Sequence, residues 1–195
     1  MDSDVMSKKL LFASSLLLAA VYFFPMWNIL LTAPQYPEGL EIHIWVNKIT
    51  GGKPTDIQNI NILNHYIGMA PIKPDTIPEL KRIPYILGFM IILGLTASFV
   101  GSRLFDTIWF GLLVFLGGAG LVDFYRWEYN YGHHLNPYAP IKISGMSYQP
   151  PFIGMEHLMN ITAFSYPAPG AWIAIFAGLL GFLAVVMDVK KWFFK

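Results

Sequence analysis

The chain has 195 residues, 55% of them hydrophobic and only 13% charged, with a formal net charge of +1 at pH 7. A soluble domain carries roughly 25% charge, so the shortage matches a surface that faces lipid, where unpaired ions are costly. Near-neutral charge offers no electrostatic footprint for nucleic acid, and the lack of cysteine excludes disulfides, c-type haem attachment, iron–sulfur clusters and thiolate metal sites.

The first element in chain order is an apolar run from Leu10 to Leu31, preceded by Lys8 and Lys9 and interrupted by Ser14, Ser15, Pro25 and Asn28. At about 1.5 Å per residue it would cover about 33 Å, enough for a bilayer core of about 30 Å. A signal peptide is the rival reading. The run exceeds the roughly 7–15 residues of a signal h-region, and Pro34 after Thr32-Ala33 is a poor start for a mature chain, so a retained anchor is expected.

In the loop 32–82, Leu40 to Val46 alternates large and polar residues before Gly51-Gly52, which predicts a strand and a turn. Over 56–69, apolar residues at 57, 60, 63 and 67 predict a short helix with Asp56 as its N-cap. The second span is expected over 83–102. Arg103 to Asp106 is too short to cross anything, so 107–125 returns as the third span, and 170–187 forms the fourth. The loop 126–169 is dense in proline and aromatic residues, and is expected to hold by ring packing rather than by regular ladders. Gly88, Gly94, Gly117, Gly118, Gly120, Gly178 and Gly181 read as packing glycines within the spans. Asp106 and Asp188, at the cytoplasmic ends, read as solvated.

The short basic segments, Lys8-Lys9, Arg103 and the Lys190, Lys191, Lys195 tail, share one side, which the positive-inside rule makes cytoplasmic. Trp27, Tyr85, Tyr125, Trp127 and Trp172 fall near the other ends, as an interfacial belt does. The expected architecture is therefore an all-α integral membrane protein. Four transmembrane helices, N-in and C-in, carry two long structured outer loops that contain a short strand and a short helix. These loops are too apolar for solvated tails and should form a cap or meet a partner.

All five histidines, His43, His65, His133, His134 and His157, fall in the outer loops, so a haem held by two transmembrane histidines is unsupported. His65-x-x-x-Met69 and Met155-x-His157-x-Met159, with Met146 nearby, set thioethers beside imidazoles, a donor set that favours copper. The tripeptide Ile-Gly-Met recurs at 67–69 and 153–155. The plainer reading is that methionine fills irregular apolar gaps and histidine caps loops. Asp123 and Arg126, three apart on a helix, read as an interfacial ion pair, or else, with Tyr125, Trp127 and Glu128, as the polar side of a quinol pocket. A partner surface is expected at Tyr36, Trp45, His65, Tyr66, Tyr129, Tyr131, His133, His134, Tyr148 and Phe152. No motif for hydrolysis, phosphate binding or nucleophilic catalysis is present.

The strings APQYPEGLEIHI (33–44), DIQNINILNHYIGM (56–69), GLVDFYRWEYNYGHHLNP (120–137), IKISGMSYQPPFIG (141–154) and SYPAPG (165–170) resemble the NosB family. These are small four-helix membrane proteins encoded beside nitrous-oxide reductase in bacterial nos gene clusters. The resemblance covers about residues 8–190. It implies an accessory role in N2O respiration and brings no catalytic residues to carry over. The implied partner is a periplasmic reductase with its own copper centres, while this chain holds no cofactor; lipid or quinone could occupy grooves between its spans. Three readings follow. The first is a membrane-anchoring subunit that binds the reductase, in the bacterial inner membrane with its loops periplasmic. The others are a copper-delivery or maturation factor for that enzyme, and a quinol-linked electron-entry subunit.

Overall fold

The computed structural model describes residues 3–142, 145, 147–158 and 160–193. Four of its helices are long and apolar enough to cross a membrane: α1 (Ser3–Ala20, extended by a 3-10 turn to Phe23), α3 (Pro78–Val100), α4 (Arg103–His133) and α5 (Pro169–Phe193). The described residues also form a short helix, α2 (Asp56–Ile67), a 3-10 turn (Pro74–Thr76) and five strands: β1 (Trp27–Ala33), β2 (Tyr36–Ile44), β3 (Ile49–Thr50), β4 (Gly154–Leu158) and β5 (Ile161–Pro167). The strands form one antiparallel sheet in the order β3-β2-β1-β5-β4, so the fold is not all-α.

The start of α1 lies beside the α3–α4 turn, where a β-carbon at Gly101 would overlap the Lys8 side chain. The helix α1 packs against α3 and α5, and α4 closes against α3 and α5. Trp109 of α4 is fully buried, and its Nε1 donates to the Met90 carbonyl (2.8 Å). A β-carbon at Gly94 would overlap Ser15 Oγ and the Trp109 indole, and one at Gly181 would press on the same ring. These two glycines do the packing expected of them. Those at 117, 118 and 120 do not: each is exposed, and a β-carbon at any of them meets nothing within 4 Å.

The first span differs most from expectation. The helix starts at Ser3 and ends at Phe23, and Trp27 to Leu31 lie in β1 rather than in the membrane. Pro25 lacks the N–H that continuing the helix would need, and the residues after it are apolar because alternate ones line the cap: Trp27, Ile29 and Ala33 are buried. The chain then runs directly from bundle to sheet. Met26 N donates to Ile44 O (2.7 Å), Ala168 N to Met26 O (3.0 Å) and Gly170 N to Pro25 O (2.8 Å). The loop 126–169 also departs from expectation, since residues 154–167 form the β4–β5 ladder. The predicted strand at 40–46 is observed as β2, and the predicted helix at 56–69 as α2. Asp56, however, is not the N-cap, which is Thr55. Asp56 is buried, and its Oδ2 accepts from Lys53 N (2.9 Å) and Glu41 N (3.2 Å), which ties the loop to β2. Asp106 and Asp188 are buried rather than solvated, at 1% and 7% exposure.

The glycine contacts give a direct test. Gly94→Ala should destabilise the detergent-solubilised protein by about 1–3 kcal/mol through overpacking, whereas Gly117→Ala should leave its thermal midpoint unchanged. Equal effects of the two substitutions on the unfolding midpoint would contradict this packing.

Candidate functional site

With its 31 residues, α4 is about 46 Å long, about 16 Å more than a bilayer core. The limit of its span on the sheet side is marked by Trp27, the first strand residue, whose ring packs on Phe124 at 5.3 Å. Everything from about Tyr125 to His133 therefore rises out of the membrane and serves as a wall of the cap. The inner face of the sheet, with Trp27, Ile29, Leu40 and Ile42, packs on Ile60 of α2 and on this wall. Trp27 Nε1 donates to Ser165 Oγ (2.8 Å), which in turn donates to Phe152 O (3.1 Å). Rings of Phe124, Phe152 and Tyr125 surround this point at 5.3–6.0 Å from one another or from Trp27.

Between sheet, α2 and the end of α4 lies a cavity of about 60 Å³. Its lining is mostly aliphatic, with Trp127, Tyr131 and Tyr148 as aromatic members and Asn64 and Glu128 as polar ones. Glu128 is fully buried, and neither carboxylate oxygen has a hydrogen-bond partner among the described residues. Among the described residues, no lysine, arginine or histidine lines the space. Burial pushes the Glu128 carboxyl up to about 8, so it is held as the neutral acid. Tyr131 donates to the Ala70 carbonyl and accepts from Asn64 Nδ2 (3.5 Å). Burial raises this phenol well above its ordinary range, with the Asn64 contact opposing the shift in part.

The other face of the sheet is exposed. Registers Met155↔Phe164, Leu30↔Phe164 and Asn28↔Tyr166 place Met155, Phe164 and Tyr166 on it, at 63%, 42% and 36% exposure. His157 shares this face, paired with Thr162 and hydrogen-bonded to Thr162 Oγ1 (2.9 Å). His43, also outward, is held between Asn28 Oδ1 (2.8 Å) and Glu41 Oε2 (2.9 Å).

The copper candidates are not gathered in one place. Met155 and His157 stand on β4 at the sheet edge, facing outward. His65 and Met69 lie at the end of α2, and with His134 they line a separate cleft of about 310 Å³. Met146 and Met159 lie outside the described residues. Among the described residues, no group of three or more His, Cys, Asp or Glu could hold a metal ion. The repeated Ile-Gly-Met serves two different turns: Gly68 (φ 83°) caps α2, and Gly154 (φ 105°) begins β4.

Of the expected partner residues, Tyr66, Tyr129, His133, His134 and His65 are exposed, while Tyr36, Trp45, Tyr131 and Phe152 are half-buried. Tyr148 is buried, and it and Phe152 hold the cap from within rather than present a surface. His133 stacks on Tyr129 (4.0 Å) and donates from Nδ1 to the Tyr129 carbonyl (2.9 Å). Asp123 and Arg126 are both exposed, and no salt bridge joins them among the described residues. Of the four quinol-pocket candidates, Trp127 and Glu128 line the cavity and Asp123 and Tyr125 do not. Sequence reasoning missed the outward residues Met155, Phe164 and Tyr166 as a surface; their signal is the alternation of large Phe164 and Tyr166 with small Ala163 and Ser165. No protein-family model and no curated protein matches the chain.

Glu128 makes stability depend on pH with a defined sign. Its folded value lies above its ordinary 4.5, so the folded protein holds the extra proton. Stability is full below about 4.5, declines as pH rises towards about 8, and is flat beyond that. Thermal midpoints of the solubilised protein should fall across this window. In Glu128→Gln, neutral at every pH, that part of the fall should disappear; an unchanged profile would place the titration elsewhere.

Proposed function

We propose that this chain is a membrane-anchoring accessory subunit whose sheet cap binds a periplasmic copper enzyme, nitrous-oxide reductase, and so supports N2O respiration. The observation that carries the docking role is the outward sheet face, where Met155, Phe164 and Tyr166 stand exposed beside the edge strand β4. Aromatic and methionine side chains grouped on a raised, rigid surface are the composition of a protein interface core. The identity of the partner rests on the loop strings that resemble the NosB family; 154 and 165–167 of those strings belong to β4 and β5 themselves. In this reading the sheet side of the bundle is the periplasmic side of the bacterial inner membrane, as the distribution of lysine and arginine in the short segments suggests. The chain anchors, and the partner carries the copper.

Copper delivery is the second reading. It is favoured by one observation, the cleft shared by His65, Met69 and His134, which offers two imidazoles and a thioether.

The test is recovery of the tagged protein from native membranes in mild detergent, with metal analysis of the eluate. A stoichiometric copper enzyme is expected, and the double variant Met155→Asp, Phe164→Asp should reduce it by at least about tenfold, the size of a single hot-spot loss. An eluate with this chain alone would end the stable-subunit reading; copper bound to that lone chain, and lost in His65→Ala, would put delivery first.

A further inference from the structure

The cleft of about 310 Å³ lies where two helices end, α2 at Ile67 and α4 at His133. Its two walls are tied together at several points. Gly68 O accepts from Asn136 N (2.8 Å), Tyr66 O from Ile141 N (2.9 Å), and Ala70 O from the Tyr131 hydroxyl. Gly68 turns with a φ of 83°, and a β-carbon there would press on Ala139 and on the Asn136 carbonyl. Both helices bring the negative ends of their dipoles to this junction, a field that favours a cation.

The donors that line the cleft are His65, Met69 and His134. His134 follows the last turn of α4, and its Nδ1 donates to the Asn130 carbonyl (3.2 Å). That bond fixes the tautomer of the neutral ring: the proton sits on Nδ1 and the Nε2 lone pair is left for a ligand, as in metal-binding histidines. His65 meets Tyr66 edge-on (6.0 Å) and uses neither ring nitrogen in a hydrogen bond among the described residues. Met69 is fixed just past the helix cap, its N donating to Asn64 O (2.9 Å). The Oδ1 of Asn136, the one side-chain amide in the lining, is engaged by Tyr138 N (2.9 Å). Among the described residues, no carboxylate, lysine or arginine lines the space.

Two neutral imidazoles and a thioether bring no negative charge and no hard oxygen to an ion. A divalent ion would keep its full charge while losing water, and that cost grows with the square of the charge. A soft monovalent ion meets a far smaller penalty and a matched donor set. We propose that the cleft binds one Cu(I) ion through His134 Nε2, a ring nitrogen of His65 and Met69 Sδ, in preference to a divalent ion such as Zn(II). This rests on the second reading above, copper at this cleft, and adds the oxidation state, the ligand atoms and the selectivity. Three ligands in an open cleft leave one side of the ion uncovered, so a stronger ligand can withdraw it with no change of oxidation state.

The experiment gives the full chain in mild detergent one equivalent of Cu(I) under anaerobic, reducing conditions, and titrates it against the chromogenic cuprous chelator bicinchoninate. One ion per chain is expected, with a copper-edge X-ray absorption spectrum fitted by two nitrogen neighbours and one sulfur. Met69→Leu should remove the sulfur neighbour, and Met69→Leu and His134→Ala should each weaken binding by at least about tenfold. His157→Ala, which alters the imidazole on the sheet edge, should leave binding unchanged. An absence of Cu(I) binding, a first shell without sulfur, or displacement of the ion by one equivalent of Zn(II) would overturn the proposal. So would a loss in His157→Ala that His134→Ala does not share. The spectrum of the unaltered chain decides the matter even where a variant fails to fold. Cu(I) held by these ligands but not passed to copper-free nitrous-oxide reductase would leave the site standing and end the delivery reading instead.

Discussion

Everything in this molecule depends on how the backbone leaves the bilayer. Hydrocarbon offers no partner for a peptide group, and a chain that abandons its helix at the boundary must find other partners at once. Here two spans solve the problem for each other. The end of α1 and the start of α5 meet through Gly170 N and Pro25 O, and the next pair, Ala168 N and Met26 O, adjoins the first pair of the sheet, Trp27 and Pro167. Gly170 has no substitute at this spot, because a β-carbon would press on the carbonyls of Phe24 and Pro25. Met26 N then takes Ile44 O, which brings in β2. The helix-to-strand change is thus a continuous hydrogen-bonded seam.

From that seam the cap is assembled by burial. One sheet face, α2 and the protruding end of α4 exclude water, and among the described residues that line the cavity Glu128 alone can carry charge. An ionised carboxylate is expensive in such a place, and replacing the proton by a cation would need a lysine or arginine that the walls lack. The opposite face is free of that constraint and carries the large side chains outward. A single sheet therefore separates a closed, aliphatic interior from an open surface of methionine and aromatic rings.

The spans were legible because hydropathy over about twenty residues reports lipid contact directly. The limits of that signal were equally physical. Trp27 to Leu31 is as apolar as a membrane segment, since a strand buried on a small cap needs the same residues; the discriminating feature was Pro25. The pair β4–β5 was hidden for a different reason. In β5 the inward residues are Ala163 and Ser165, while Phe164 and Tyr166 face out, so the usual rule of apolar-inward alternation is inverted. Glu128 was legible as a polar residue near a span end, but its complete burial depends on β1, β2 and α2, none of which is local in sequence. Asp106 and Asp188 were misplaced likewise: position at a helix end says nothing about which neighbours close over it.

The seam has a mechanical consequence. Because β1 continues α1 and β5 continues α5 with almost no linker, the sheet cannot swivel relative to the bundle. Seven residues of β1 at about 3.3 Å each make a strand about 20 Å long. Its bearing around the membrane normal is fixed by how α1 and α5 pack. Any molecule grasped by that face is held at a set height and azimuth, and a tilt between these two helices is transmitted upward as a shear between adjacent strands. The cap is less a tethered module than the lever arm of the two spans beneath it.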